Sequence, residues 1–172
     1  MATHFNITGE LTQELLSAGD KTRISNIQLT NVCQTSVPRD SIVDLYIEKK
    51  LTGKFYLLKQ IKIPFGVTLQ HEVKGFNNDP NQFGLFIKLH RSDLFTLTGS
   101  IDPTASTTVT GVGTAFLTEL NIGDEIVVSG EARVVTAIAS NISLTVSVAT
   151  TNTGNDASPD CNPVAPVDVI LY

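Results

Sequence analysis

The chain has 172 residues, with 41% hydrophobic and 17% charged residues, which is typical of a folded protein and excludes a disordered one. Its net charge of −5 argues against nucleic-acid binding, which usually needs a basic face. No apolar run approaches the ~18 residues that span a bilayer, and residues 1–4 do not begin a secretory signal. We therefore expect no membrane partner and synthesis in a reducing cytoplasm.

The first twenty residues contain the only candidate helix. Residues 10–16 place apolar side chains at i, i+4 and i+5, and Gly19 is a suitable helix end. A strand or an extended docking arm fits the same residues nearly as well, so the sequence leaves these alternatives open.

From residue 24 onward the apolar pattern has the period of a β-strand. The predicted strands are separated by turn signals in residues 49–54, 64–66 and 77–81. Short strands at roughly ten-residue spacing predict an antiparallel β-sandwich. They cover residues 24–29, 41–48, 55–63, 67–74 and 84–89.

Residue usage changes near residue 95 and changes back near residue 163. All eight lysines precede residue 91, whereas Arg133 is the only basic residue between Phe95 and Asn162. Residues 167–172 are again strand-like. The sequence therefore predicts a discontinuous β-sandwich, residues 1–94 plus 163–172, with a small β-domain, residues 95–162 with flanking linkers, inserted before its last strand. That strand should pair in the same sheet system as residues 41–48 or 84–89.

The insert is itself predicted to be a small β-barrel or sandwich of three or four strands. Its strands are expected at residues 107–110, 125–128, 133–138 and 143–147. Its predicted core consists of Phe116, Ile126, Val128, Val135 and Leu144. The insert is acidic and is expected to face solvent, and it contains seven carboxylates: Asp102, Glu119, Asp124, Glu125, Glu131, Asp156 and Asp160.

No catalytic or metal-binding motif is present. His4, His71 and His90 lack metal-ligand spacing, and no amphipathic helix follows Gly111 and Gly113 to form a phosphate cradle. The sequence therefore predicts no enzyme, no cofactor and no catalytic, cofactor-binding or metal residues.

Asp124 and Glu125 form the best carboxylate pair in the sequence, and Asp124 is expected to hold a turn before a strand. Cys33 and Cys161 are the only cysteines, and they are expected to be free thiols, one of them buried. A disulfide between them is a further alternative, although cytoplasmic assembly disfavours it.

Two stretches of the sequence resemble structural proteins of tailed phages. Residues 107–116, followed by Leu120, Gly123, Asp124 and Ile126, resemble a small β-module of phage tail, neck and fibre proteins. The second stretch is similar to small virion proteins of phages that infect marine cyanobacteria. It consists of residues 42–47, 55–58, 63–67, 83–89 and 167–171.

The resemblance implies a non-enzymatic virion subunit: a capsid-decoration, neck or tail accessory protein made in the host cytoplasm. Its expected partners are itself and other virion proteins, as a homo-oligomer or a lattice-bound subunit, with residues 1–20 as an arm to a neighbour. A receptor- or glycan-binding tail or fibre module is the alternative.

Overall fold

The computed structural model describes residues 2–49, 53–77 and 83–172. This part contains fifteen β-strands and one short helix, and strands account for 57% of the structure. In chain order they are β1 (Thr3–Ile7), β2 (Thr12–Leu16), β3 (Arg23–Asn31), β4 (Ser41–Lys49), β5 (Gly53–Ile63), β6 (Thr68–Asn77), β7 (Phe83–His90), β8 (Phe95–Thr96), β9 (Ser100–Asp102), β10 (Thr108–Val112), α1 (Phe116–Glu119), β11 (Glu125–Val128), β12 (Glu131–Ser140), β13 (Ser143–Val146), β14 (Asp160–Asn162) and β15 (Val167–Leu171).

The sheets are antiparallel, which confirms the predicted all-β class. The chain divides into two compact units. Unit 1 comprises Met1–Cys33, Asp40–His90 and Ala165–Tyr172, and unit 2 comprises Gln34–Arg39 and Arg91–Val164. The units differ in extent from the predicted domains, chiefly because Gln34–Arg39 belongs to unit 2.

Unit 1 contains two four-stranded sheets. The first has the order β1-β15-β3-β6 and the second has the order β2-β7-β4-β5. Burial alternates along β7 and β15 because successive side chains of a strand point to opposite faces of the sheet. Leu29 and Val169 of the first sheet and Leu45 and Leu89 of the second are fully buried, so both sheets contribute to the core.

The last strand does not lie in the sheet that contains residues 41–48 and 84–89. β15 lies in the first sheet between β1 and β3, with Val169 opposite Phe5 on one side and Leu29 on the other. β4 and β7, whose sheet it was expected to join, belong to the second sheet. Alternating apolar residues show that one face of β15 is buried, but they do not identify its neighbours.

The first twenty residues form two strands, so the structure selects the strand among the alternatives and excludes the helix. β1 pairs with β15, and β2 pairs with β7, so each occupies one edge of a sheet in unit 1. Ile7, Leu15 and Leu16 are buried. These residues therefore belong to the fold of their own chain, and we do not propose them as an extended arm.

Unit 2 is built on one seven-stranded sheet with the order β8-β14-β11-β12-β13-β10-β9. The sheet is open and does not close into a barrel, and it has more strands than the predicted three or four. Its core contains all five predicted residues, and Phe116 on α1 is completely buried. The core is therefore confirmed, although the strands around it are more numerous.

The structure tests the prediction for the two cysteines but describes only parts of two predicted loops. Cys33 and Cys161 are both buried thiols, which excludes the disulfide alternative in this structure. Residues 50–52 of one predicted turn and residues 78–81 of the predicted polar loop lie outside the described residues.

Candidate interaction surface

The edge strand β5 is exposed along almost its whole length. From Gly53 to Lys62 its residues are exposed or half-buried, and only Ile63 is buried. Phe55 and Ile61 lie opposite Ile47 and Val43 of β4, so they share the face of the sheet on which Val43 is fully buried. Phe55 and Ile61 nevertheless remain exposed. The residues that bury Val43 on β4 therefore do not extend over this face of β5.

The exposed segment is apolar and basic. We call residues 53–67 the basic edge, because they contain Lys54, Lys59 and Lys62 but no carboxylate. Five large apolar side chains of the basic edge are each between 36% and 52% exposed. They are Phe55, Tyr56, Ile61, Phe65 and Val67. Apolar exposure concentrated in this way is typical of a surface that binds another protein.

Two irregularities shape the ladder between β4 and β5. Leu57 has no opposite residue on β4, and Lys59 and Gln60 together lie opposite Asp44. Gln60 adopts a positive φ of 49° and donates its backbone N–H to the Asp44 carboxylate at 2.7 Å. The other carboxylate oxygen of Asp44 lies 2.9 Å from His90 Nε2. The irregularity at Lys59 and Gln60 is a β-bulge, and Asp44 on the neighbouring strand β4 holds it in place.

A row of aromatic side chains crosses the other face of the second sheet. Tyr56, Tyr46 and Phe86 lie opposite one another on β5, β4 and β7. The ring centroids are 5.5 Å apart for Tyr46 and Tyr56 and 5.6 Å apart for Tyr46 and Phe86. A Cβ atom on Gly84 would lie 2.6 Å from the Phe86 ring, so glycine is needed for this ring position.

Two lysines of the basic edge contact the tyrosine rings of this aromatic row. Lys54 Nζ donates a hydrogen bond to the Tyr46 hydroxyl at 3.2 Å and lies 4.5 Å from the centre of that ring. This hydrogen bond is the largest cause of a raised pKa for Lys54. Lys59 Nζ lies 5.1 Å from the centre of the Tyr56 ring. Cation–π contacts therefore position these charges at the surface.

Asp124, one member of the carboxylate pair that the sequence analysis singled out, is a structural residue of unit 2. It is fully buried, and its Oδ2 atom accepts a hydrogen bond from Arg39 Nη1 at 2.7 Å and from the Asn121 N–H at 2.8 Å. Its Oδ1 atom accepts the N–H of Val164 at 2.9 Å. The predicted role in a turn is confirmed by Asn121, and the ion pair with Arg39 is an interaction that the sequence did not indicate.

Arg39 is also held by other groups of unit 2. Its guanidinium donates to the backbone carbonyl of Glu119 and lies 5.0 Å from the centre of the Phe95 ring. The Glu119 side chain accepts hydrogen bonds from the N–H and hydroxyl of Thr98. Burial is the largest cause of a raised pKa for the Cys161 thiol, followed by the charge of Asp124. These groups form a buried polar network, and a buried ion pair needs such additional hydrogen bonds to offset its desolvation.

The seven acidic side chains of the insert differ in their exposure, and the orientation of the insert towards solvent stays a prediction. Asp102 is exposed, whereas Glu119 and Asp124 are buried and the other four are half-buried. Glu131 accepts hydrogen bonds from the hydroxyl and N–H of Thr151, which lower the pKa of Glu131 to about 2. Asp156 accepts the Ser129 N–H at 2.6 Å. Most of these carboxylates therefore bind their own loops.

The three histidines are not brought together. His4 lies on β1, His71 on β6 and His90 at the end of β7 beside Asp44. Within the described residues, no group of three His, Cys, Asp or Glu side chains has the arrangement of a metal site. Gly111 belongs to strand β10, where it lies opposite Ile101.

No protein-family model, curated protein or solved structure matches this chain. Among the helices in the described part of the chain, none has the length and apolar character needed to cross a membrane.

Proposed function

We propose that the chain is a non-enzymatic structural subunit of a tailed-phage particle, as a capsid-decoration, neck or tail accessory protein. The observation that carries this proposal is the basic edge, where five large apolar side chains remain uncovered beside three lysines. Apolar side chains exposed close together along an edge strand often mark a site that binds another protein. The sequence resemblance to phage virion proteins supplies the biological setting.

The role of the buried carboxylates supports a structural assignment. Asp124 and Glu119 are shielded from solvent and hold backbone or side-chain donors of unit 2. Carboxylates that act in hydrolysis must instead reach a substrate in a cleft. We therefore assign Asp124 and Glu119 to the stability of unit 2 and place the functional contacts of the chain at its surface.

We do not propose the glycan-binding alternative, which requires exposed aromatic rings on the insert. Every residue of unit 2 is described, and its two aromatic residues are Phe95 and Phe116. Phe116 is fully buried, and Phe95 is half-buried against the core. Unit 2 therefore offers little ring surface on which a sugar could stack.

The proposal places the protein in the virion after synthesis in the host cytoplasm, in contact with copies of itself and with other virion proteins. Quantitative mass spectrometry of gradient-purified particles tests this location. We expect the chain to copurify with the major capsid protein at a constant ratio through two successive gradients. Loss of the chain from particles that remain infectious and intact would refute the proposal.

The measured ratio also distinguishes the possible positions. A copy number close to that of the capsid protein would indicate capsid decoration. A copy number equal to that of the ring-forming proteins of the neck or tail would indicate an accessory subunit there. Host proteins of similar abundance in the lysate provide the control for contamination.

A further inference from the structure

The two edges of the second sheet carry opposite charges. β2 is one edge of this sheet and β5 is the other. Residues 1–20 contain Glu10, Glu14 and Asp20 and no lysine or arginine, whereas the basic edge contains three lysines and no carboxylate. The free edges of one sheet are therefore electrostatically complementary, which favours contact between different edges over contact between identical ones.

The β2 side also exposes apolar surface. We call residues 10–14 the acidic edge. Leu11 is 82% exposed there, and Glu14 is exposed on β2 opposite Phe86 of β7. On the side away from β7, β2 has no strand partner among the described residues. An edge strand of this kind presents backbone donors and acceptors that a second strand can bind.

Lysines and bulges on an edge strand often serve only to prevent aggregation. The basic edge differs from such a protected edge because it exposes Phe55, Tyr56, Ile61, Phe65 and Val67. The bulges also leave residues 53–56 in regular register with β4, a stretch similar in length to the five residues of β2. The bulges therefore limit strand pairing to a short segment without covering the apolar side chains.

The charges of the basic edge are only partly balanced within the chain. Lys54 lies opposite Glu48 on β4. No ion pair of Lys59 or Lys62 is found with any residue that the structure describes. In a two-fold symmetric contact the basic edge would meet itself and place lysines against lysines. A second copy that presents its acidic edge avoids this repulsion.

We infer that the basic edge of one copy docks on the acidic edge of the next copy, in a head-to-tail assembly of identical subunits. The inference deepens the proposed function and rests on it for its biological setting. The contact combines a short strand-to-strand pairing, the apolar side chains of both edges, and ion pairs between Lys59 or Lys62 and Glu10 or Glu14. A head-to-tail contact forms rings if its rotation closes and filaments if it does not.

Charge reversal of each edge tests the contact in the full-length purified chain. The first variant is Lys59→Glu/Lys62→Glu and the second is Glu10→Lys/Glu14→Lys. By sedimentation velocity, we expect the wild type to form rings or filaments at low salt that weaken at high salt. Each variant alone should associate more weakly than the wild type by about tenfold or more.

Mixing the two variants provides the decisive measurement. One variant then has two acidic edges and the other has two basic edges, so each can bind only the other. We expect the mixture to associate as the wild type does, and we expect the same of the fourfold variant, whose net charge equals that of the wild type. Arg23→Glu and Asp102→Lys, which reverse exposed charges outside both edges, should leave association unchanged.

Two results would overturn the inference: a wild type that stays monomeric at all accessible concentrations, or variants that remain dispersed when mixed. Tyrosine fluorescence during urea unfolding checks that each variant is folded, because all three tyrosines belong to unit 1. The outcome is independent of the proposed location. Absence from phage particles would refute the virion role even if the chains associate, and incorporation without self-association would refute only the head-to-tail contact.

Discussion

Replacing Arg39 with methionine should destabilise unit 2 severely. Arg39 and Asp124 are both buried, and their side chains are 2.7 Å apart. Methionine retains much of the aliphatic volume of arginine but removes the charge. Asp124 would then keep the N–H groups of Asn121 and Val164 as donors but lose its cation. The substitution therefore leaves an incompletely compensated carboxylate in the core.

The expected loss is about 3–5 kcal/mol in the free energy of unfolding, the usual cost of breaking a buried ion pair from one side. The two remaining N–H donors place it toward the lower end of that range. With a urea dependence of about 2 kcal/mol/M, the unfolding midpoint of unit 2 should fall by about 1.5–2.5 M. Arg133→Met is the matched control, since Arg133 is half-buried and solvent screens its pair with Glu131, so the midpoint should change far less.

Pulsed alkylation with peptide mass spectrometry can follow each unit during urea unfolding. Cys161 is buried in unit 2 and reports its opening, whereas Cys33 is buried in unit 1. Tyrosine fluorescence gives a second probe of unit 1. An Arg39→Met chain whose Cys161 is alkylated at the wild-type urea concentration would refute the assigned role of the ion pair.

Three further predictions concern single side chains. Phe116→Ala should destabilise unit 2 by about 3–5 kcal/mol in the Cys161 assay, whereas Leu117→Ala, at an exposed position, should change little; equal effects would contradict the assigned core. Gly84→Ala should displace the Phe86 ring and cost about 1–3 kcal/mol by tyrosine fluorescence, and an unchanged near-ultraviolet circular dichroism spectrum would disprove that displacement. Because the folded pKa of Glu131, about 2, lies below its ordinary value of 4.5, its contribution to stability is complete above pH 4.5 and disappears as pH falls toward 2. The difference in urea midpoint between wild type and Glu131→Gln should therefore shrink over that pH range, and a constant difference would argue against this linkage.

The sequence predicts the strands of this protein better than their neighbours. Alternating burial in β7 and β15 follows directly from alternating apolar residues. The partners of β15 do not follow, because β1 and β3 are selected by packing across the whole sheet. The five core residues of unit 2 could be predicted because four of them lie in segments with a strand pattern, and the fifth, Phe116, is one of only two aromatic residues in residues 95–162.

The features on which the proposals and the first prediction rest were harder to predict. The pattern of β5 identifies a strand, but its exposure depends on how far the core extends over an edge of the sheet. The three lysines without carboxylates in residues 53–67 were the available signal. Arg39 gave no comparable signal, because a single arginine in a connecting segment is most often exposed. Its burial follows from the fold, which places Gln34–Arg39 in unit 2.

The position of β15 has a consequence for protein synthesis. β15 fills the interior place between β1 and β3, yet it follows every residue of unit 2 in the chain. During translation the first sheet therefore lacks β15, and β1 has no strand partner, until the whole of unit 2 has been synthesised. Since domains generally fold as units as they emerge, unit 2 can complete its fold before unit 1 does. A chain truncated before residue 167 would lack β15 and leave β1 and β3 with exposed strand edges, which is a form prone to aggregation.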